Sequence, residues 1–199
     1  MTTNISTEKE PANGNKKLII ILQILLVVAW LALMILIAWF SSKPAETSTA
    51  QSQAVGTVIC KVVIKDFKTF TQALKQYYIE TVDKFVRKGA HFTEYAVLGM
   101  LSLGVFNCSL RKISDRLKKK IKPGKFFSFF LIPVLWCCLY STTDELHQLF
   151  VDGRAASPLD VLIDTSGAIF GILILLLIRM IVLKIRSARR SKKEQGKTT

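Results

Sequence analysis

The sequence has few cysteines and no arrangement of them that is typical of a metal site or a disulfide framework. Its four cysteines are Cys60, Cys108, Cys137 and Cys138. Two of them are adjacent within an apolar run, and no pair has metal-ligand spacing, so all four are interpreted as small apolar residues. The HExxH pattern of zinc enzymes is also missing. The sequence therefore predicts no disulfide-stapled fold, no metal site and no cofactor.

Acidic residues are also scarce, since 14 Asp and Glu stand against 28 Lys and Arg, which gives a net charge of +14. A strongly basic balance is typical of proteins that bind nucleic acid. Here, however, the basic residues are concentrated beside long apolar runs, where membrane topology and contact with anionic lipid explain them. We therefore predict membrane lipids as partners and no binding of nucleic acid.

Charged residues are rare in four long segments, 18–40, 90–108, 126–143 and 159–183. A spanning helix needs about 20 mostly apolar residues to cross a hydrocarbon core of roughly 30 Å. The first segment is longer than the ~7–15-residue apolar region of a signal peptide, and no A-x-A cleavage site follows closely. It is therefore predicted to be a retained anchor. The predicted fold is an all-α integral membrane bundle of four transmembrane helices, with an extra amphipathic outer helix.

The distribution of basic residues predicts the orientation of this bundle, because they mark the cytoplasmic side. Residues 111–125 include eight basic residues and one acid, and residues 179–199 include eight basic residues and one acid. Residues 144–158 include one basic residue, Arg154, and three acids. Loop 111–125 and both termini are thus predicted inside, and 144–158 outside. We predict a disordered cytoplasmic N-terminus over 1–16, a membrane domain over 17–183 and a basic tail over 184–199.

The outer segment 41–89 fits the charge rule least well, because it holds eight basic residues and four acids. Residues 41–56 are rich in Ser, Thr, Ala and Gln, which predicts an extended linker. Residues 57–65 are β-branched and fit either a short strand or the start of a helix. Residues 66–88 have apolar positions at gaps of three and four, which predicts an amphipathic helix. This helix either lies along the outer membrane surface, packs on the bundle, or only links two spans.

Ionisable side chains occur at three places within or beside the apolar segments, where each costs roughly 2.5–3.5 kcal/mol on insertion scales. The predicted topology brings all three places to the outer ends of spans two, three and four. Convergence on one side of the membrane favours a polar site there. The candidate site residues are Lys88, His91, Glu94, Asp144, Glu145, His147, Gln148, Arg154, Asp160 and Asp164.

Taken singly, most of these residues have a simpler explanation. Asp160 can cap its helix, which opens with Ser157 and Pro158 as N-cap and first helical residue. Lys88 can reach lipid phosphate as a long interfacial side chain. Asp164 differs, because it lies too deep to be a cap and needs a partner, for which Arg154 or His91 are the candidates.

Small residues continue the helix face of Asp160 and Asp164. They are Gly167, Ala168 and Gly171. Small residues at this spacing let another helix approach closely. We expect either a neighbouring span or, in a homo-oligomer, a second copy of the chain to use this face.

These same stretches resemble the VanZ family of bacterial membrane proteins. The resemblance is carried by residues 87–95 (RKGAHFTEY) with Leu98 and Gly99, by residues 144–150 (DELHQLF) with Gly153 and Arg154, and by residues 160–164 (DVLID) with Gly167 and Gly171. The exit of the first span, 39–42 (WFSS), is also similar. The resemblance covers most of residues 30–178.

The resemblance implies a multi-span protein of the cell envelope, located in the bacterial cytoplasmic membrane. The founding member of the family is linked to tolerance of the glycopeptide teicoplanin, so antibiotic resistance is an expectation that follows from the resemblance. The family supplies no established reaction. Many relatives have Asn at the position of Asp164, so this chain carries an extra acidic group there.

Two functions stay open at this point. In the first, an outward-facing polar site binds a lipid-linked or anionic cell-envelope molecule through its basic residues. In the second, an intramembrane enzyme acts on a lipid or cell-wall intermediate, using His91, Glu94, Asp144 and His147 for acid–base chemistry or to hold a metal. Transport is a weaker alternative, because four spans are few for a transporter and no inverted repeat is visible.

Overall fold

The computed structural model describes residues 13–107 and 123–195, and all regular structure in these ranges is helical. The α-helices are α1 (Asn13–Ser41), α2 (Ala45–Val63), α3 (Gln72–Phe106), α4 (Pro123–Gln148) and α5 (Pro158–Gln195), with a 3₁₀ turn at Phe67–Thr69. The all-α prediction is confirmed. The predictions for residues 1–12, for most of loop 111–125, for Cys108 and for residues 196–199 lie outside the described residues.

Two of the described helices are long and apolar enough to cross a membrane. The candidate span within α1 is Lys17–Ser41, with a mean hydropathy of 3.0, and the one within α5 is Pro158–Arg189, with 2.7. As predicted, α5 begins at Pro158, and the amide of Asp160 donates to the carbonyl oxygen of Ser157 at 3.0 Å. Proline fits a helix start because its missing N–H would have no partner there.

The prediction of an extended linker over 41–56 was wrong, because α2 covers most of it. Of the two alternatives for 57–65, the helical one agrees with the structure. Three small residues, Ser52, Gly56 and Cys60, are buried along one face of α2. A Cβ on Gly56 would lie 3.5 Å from the side chain of Val82 in α3. The composition of this segment alone does not favour a helix over other local structures. Close packing on α3 therefore stabilises it as a helix.

The predicted amphipathic helix and the second span are one continuous helix in the structure. α3 has 35 residues, about 52 Å at 1.5 Å per residue. It begins at the N-cap Thr71, whose side chain accepts from the amide of Leu74 at 3.4 Å. A hydrocarbon core of roughly 30 Å accommodates about 20 residues, so α3 is longer than one span needs, and its first half packs against α2.

Small residues bring α3 and α5 into direct backbone contact. A Cβ on Gly171 would collide with the carbonyl oxygen of Ala96, and one on Gly167 would collide with that of Phe92. From the other side, a Cβ on Gly99 would collide with the backbone of Ala168. The expected close approach of a neighbouring helix is confirmed. The Gly167–Gly171 face is covered by α3 of the same chain, so it is not available for the homodimer considered above.

α1 and α4 complete the bundle around this glycine-lined contact. Tyr140 in α4 donates its hydroxyl to the carbonyl oxygen of Met34 at 2.6 Å, and Trp30 Nε1 donates to Ser102 Oγ at 2.9 Å. The core beside them includes Tyr95 and Leu98, both fully buried. These contacts hold α1 against α3 and α4.

Candidate functional site

The candidate site forms at one end of the bundle, where α1 and α4 end, α5 begins and α3 passes through. The carboxylate of Asp144 is 4% exposed and accepts a hydrogen bond from Ser41 Oγ at 2.7 Å. Gln148 Nε2, one turn later, lies 3.4 Å from the same oxygen. This network links α1 to α4 and satisfies a buried carboxylate that would otherwise be costly.

Asp164 is even more buried, at 2% exposure. Its Oδ2 accepts from Ser141 Oγ at 2.7 Å, and its Oδ1 has no hydrogen-bond partner among the described residues. The predicted partners Arg154 and His91 share a cavity with Asp164 but do not hydrogen-bond to it. The prediction of a charged partner was therefore wrong, because a serine hydroxyl from the neighbouring helix takes that role.

Lys88 and Asp160 form an ion pair across two helices, with Nζ and Oδ1 at 2.9 Å. One position earlier, Arg87 pairs within α3 with the carboxylate of Asp83 at 2.8 Å. Asp83 is buried and also accepts a hydrogen bond from Ser52 of α2. These contacts join α2, α3 and α5, so Asp160 contributes more than a helix cap.

The two histidines lie in different surroundings. His91 Nδ1 is buried without a hydrogen-bond partner, and it lies 3.9 Å from Glu94 Oε2, which is beyond hydrogen-bond distance. His147 Nε2 instead lies 3.1 Å from the hydroxyl of Ser42 on the exposed side of the bundle. The two imidazoles therefore contact different groups.

Arg154 is held in place by the connection between α4 and α5. Gly153 adopts a φ of +72°, which glycine tolerates best, and this turns the chain back toward α1. Arg154 Nε then donates to the carbonyl oxygen of Lys43 at 3.0 Å. The amide of Ala45 donates to the carbonyl oxygen of Asp152 at 3.1 Å. Burial, with a contribution from nearby Arg87, lowers the pKa of Arg154 from its usual value.

A cavity of about 250 Å³ lies between these elements. Its walls include both acidic and basic side chains. Seven predicted site residues line it: Lys88, His91, Glu145, Gln148, Arg154, Asp160 and Asp164. Of the other three, Asp144 lies behind Gln148, Glu94 lines a neighbouring pocket, and His147 is on the exposed side.

Lys84 and Arg87 also line the cavity, and they were missed as candidate site residues. A sequence signal for them exists, because Lys84, Arg87, Lys88 and His91 follow one another at gaps of three, one and three on a helix. Such a spacing places them on one broad face. The prediction leaves these residues out because it separates an amphipathic helix over 66–88 from a span over 90–108, whereas the structure has one helix.

A second pocket of about 260 Å³ adjoins the first and shares Arg87, His91 and Arg154 with it. Most of its surface is apolar and includes Phe40, Val55, Val86 and Ala90. Polar and charged residues also line it: Lys43, Ser48, Gln51, Ser52 and Glu94. The arrangement is thus a charged cavity beside an apolar one. It suits a molecule that has a charged head and an apolar tail.

The sequence that carries these clusters matches a known family. A family model described as VanZ/LLP1 matches residues 26–179, which is most of the chain. The chain belongs to the VanZ/LLP1 family. Searches among curated proteins and among solved structures found no match. Membership of VanZ/LLP1 confirms the resemblance read from the motifs, and with the two apolar helices it identifies a membrane protein.

A metal centre in this VanZ/LLP1 chain would need several donors close together. In the residues that the structure describes, no three His, Cys, Asp or Glu side chains come close enough to hold a metal ion. His147 lies beside the hydroxyl of Ser42. The described geometry therefore does not support the version of the enzyme hypothesis in which these residues bind a metal.

Proposed function

We propose that this VanZ/LLP1 protein is a four-span membrane protein that binds a lipid-linked or anionic cell-envelope molecule at the outer end of its bundle. The observation that carries the proposal is the charged cavity, which adjoins an apolar pocket through the shared residues Arg87, His91 and Arg154. A cationic cavity attracts phosphate or carboxylate, and an apolar groove beside it accommodates an acyl or prenyl chain.

Two cations of the cavity are available for such an anion. Lys84 forms no ion pair with any described residue, unlike Arg87 and Lys88. Arg154 uses only its Nε for the bond to Lys43, so both Nη groups lack an acceptor within the described ranges. Guanidinium groups with free Nη atoms are well suited to bind phosphate or carboxylate.

The proposed orientation places the cavity in the outer leaflet, with loop 111–125 and both termini in the cytoplasm. The support for it is the excess of basic residues in that loop and in the C-terminal segment. The two apolar helices α1 and α5 are candidate spans. In this proposal, the second half of α3 and the apolar part of α4 supply the other two spans.

The test is a binding measurement on the purified full-length chain in lipid nanodiscs, using a fluorescent polyprenyl phosphate and a fluorescent phosphatidic acid. We expect Lys84→Gln to weaken binding about fivefold, because one basic residue near an anionic headgroup contributes about 1 kcal/mol. Lys61→Gln is the matched control, since Lys61 is exposed on α2 and does not line the cavity. Equal binding by wild type and both variants would refute the proposal.

A cellular consequence is proposed from family membership, namely a change in tolerance of glycopeptide antibiotics such as teicoplanin. The test compares growth inhibition in a susceptible bacterium that expresses the wild-type chain or the Lys84→Gln variant. Reduced tolerance in the variant would show that the cavity contributes to the phenotype. Equal tolerance in both strains would show that it does not.

A further inference from the structure

The cavity is lined by acidic as well as basic side chains. Binding of a simple anion would account for the basic side chains only. Lys84 and Arg154 form no ion pair with any described residue, although Asp144 and Glu145 lie near enough to Arg154 to interact with it electrostatically. Glu145 and Asp164 line the same cavity, are 6% and 2% exposed, and form no ion pair with any described residue. Acidic and basic side chains that form no ion pair with each other thus line the same cavity.

The two carboxyl groups are hydrogen-bonded only by neutral donors. Glu145 Oε2 accepts from the amide of Ser157 at 2.8 Å, and Asp164 Oδ2 accepts from Ser141 at 2.7 Å. Asp164 Oδ1 is buried and has no hydrogen-bond partner among the described residues. Removing carboxylates from water without a cation is expensive, and a donor supplied by a ligand would offset that cost.

From this juxtaposition we infer that the cavity binds the headgroup of a phosphate ester that carries a primary ammonium group. The inference rests on the proposed function and names its ligand class. The phosphate contacts Lys84 and Arg154, and the imidazole of His91 lines the same cavity. The ammonium group lies beside the carboxyl groups of Asp164 and Glu145, which line the same cavity.

The size of the cavity agrees with a small headgroup. Its volume of about 250 Å³ corresponds to about eight water molecules at ~30 Å³ each, which is below the roughly 300–1,000 Å³ of pockets for drug-sized molecules. A phosphoethanolamine group fits this range, whereas a glycan with an attached peptide is far larger. The apolar pocket that shares Arg87, His91 and Arg154 then receives the lipid tail.

The experiment measures competition for the full-length chain in nanodiscs, with fluorescent phosphatidic acid as the reporter. Competitors are phosphatidylethanolamine, lysyl-phosphatidylglycerol, phosphatidylglycerol and the soluble ester glycerophosphoethanolamine. We expect the two amino lipids to compete about tenfold better than phosphatidylglycerol, the size expected for one hydrogen bond to a charged group. Weak competition by the soluble ester would identify the ligand as a membrane lipid. Competition equal to that of the lipids would identify the ligand as a free ester of the same class.

Asp164→Asn and Glu145→Gln separate the two halves of the site. Each variant should lose most of the preference for amino lipids over phosphatidylglycerol. Asp152→Asn is the control, because Asp152 is exposed in the same connection and does not line the cavity. An unchanged preference in both variants, or equal competition by phosphatidylglycerol in the wild type, overturns the inference alone. If no phospholipid or polyprenyl phosphate binds, both the inference and the proposed function are refuted.

Discussion

The buried carboxyl group of Asp164 has one hydrogen-bond donor among the described residues, the hydroxyl of Ser141. Ser141 is itself fully buried in α4, so this bond connects two helices inside the bundle. A buried polar group that loses its partner costs about 1–3 kcal/mol. The stability of this end of the bundle therefore depends on a residue with little prominence in the sequence.

Ser141→Ala is expected to lower the free energy of unfolding by about 1–3 kcal/mol, because it leaves Asp164 without its donor. The measurement is thermal unfolding of the purified protein in detergent. Thr142→Ala is the control at the adjacent position, where the hydroxyl is exposed and bonds only within its own helix, to Cys138. Equal midpoints for the two variants would show that the Ser141–Asp164 bond contributes nothing.

The two histidines are expected to respond differently to the same substitution. His91→Gln should weaken binding of phosphatidic acid about tenfold, the usual size of one hydrogen bond to a charged group. His147→Gln should leave affinity unchanged, because His147 contacts Ser42 and lines neither pocket. A larger effect at His147 than at His91 would contradict the location of the site.

At the scale of elements, glycines determine which helices touch. Gly171 and Gly89 make an informative pair, because both are helical but only Gly171 faces a neighbouring backbone. A Cβ on Gly171 would collide with the carbonyl oxygen of Ala96, whereas nothing lies within 4 Å of one on Gly89. The same substitution should thus have opposite effects at the two positions.

Gly171→Ala is expected to destabilise the fold by about 1–3 kcal/mol through overpacking. Gly89→Ala should stabilise it by ~0.4–1 kcal/mol, because alanine restricts the unfolded chain without strain in the helix. Thermal unfolding in detergent, followed by circular dichroism, measures both. A stabilising effect at Gly171 would mean that α3 and α5 are further apart than the structure indicates.

Much of this arrangement was predictable from sequence, and the parts that were not have physical reasons. Apolar run length predicted α1 and α5, and helical spacing predicted the cluster at His91 and the small-residue face at Gly167. The helix α2 was not predictable from composition, because packing on α3 through Gly56 stabilises it. The hydroxyl of Ser141 as the partner of Asp164 was also hidden, since a contact between two helices depends on their relative rotation.

At the scale of the whole molecule, the open question is the direction of the bundle in the membrane. Asp152 lies exposed in the connection between α4 and α5, and Ser187 lies exposed far along α5. In the proposed topology these two positions are on opposite sides. They can be compared directly by chemical labelling.

We expect Asp152→Cys to react with a membrane-impermeant maleimide in intact cells and Ser187→Cys to react only after lysis. Both substitutions are made in a chain whose four cysteines are replaced by alanine, and the cysteine-free chain is the background control. The reverse pattern would show that the topology is inverted. Labelling of both positions in intact cells would contradict the four-span arrangement.

The continuity of α3 also places a constraint on the number of residues it contains. Lys84 and Lys88 lie on one side of Gly89, and the contacts of Phe92, Ala96 and Gly99 with α5 lie on the other. One residue inserted between the two groups would rotate them relative to each other by about 100°. The basic side chains would then leave the cavity while the bundle stayed packed. The segment of α3 between the two groups should therefore tolerate substitutions but not insertions or deletions.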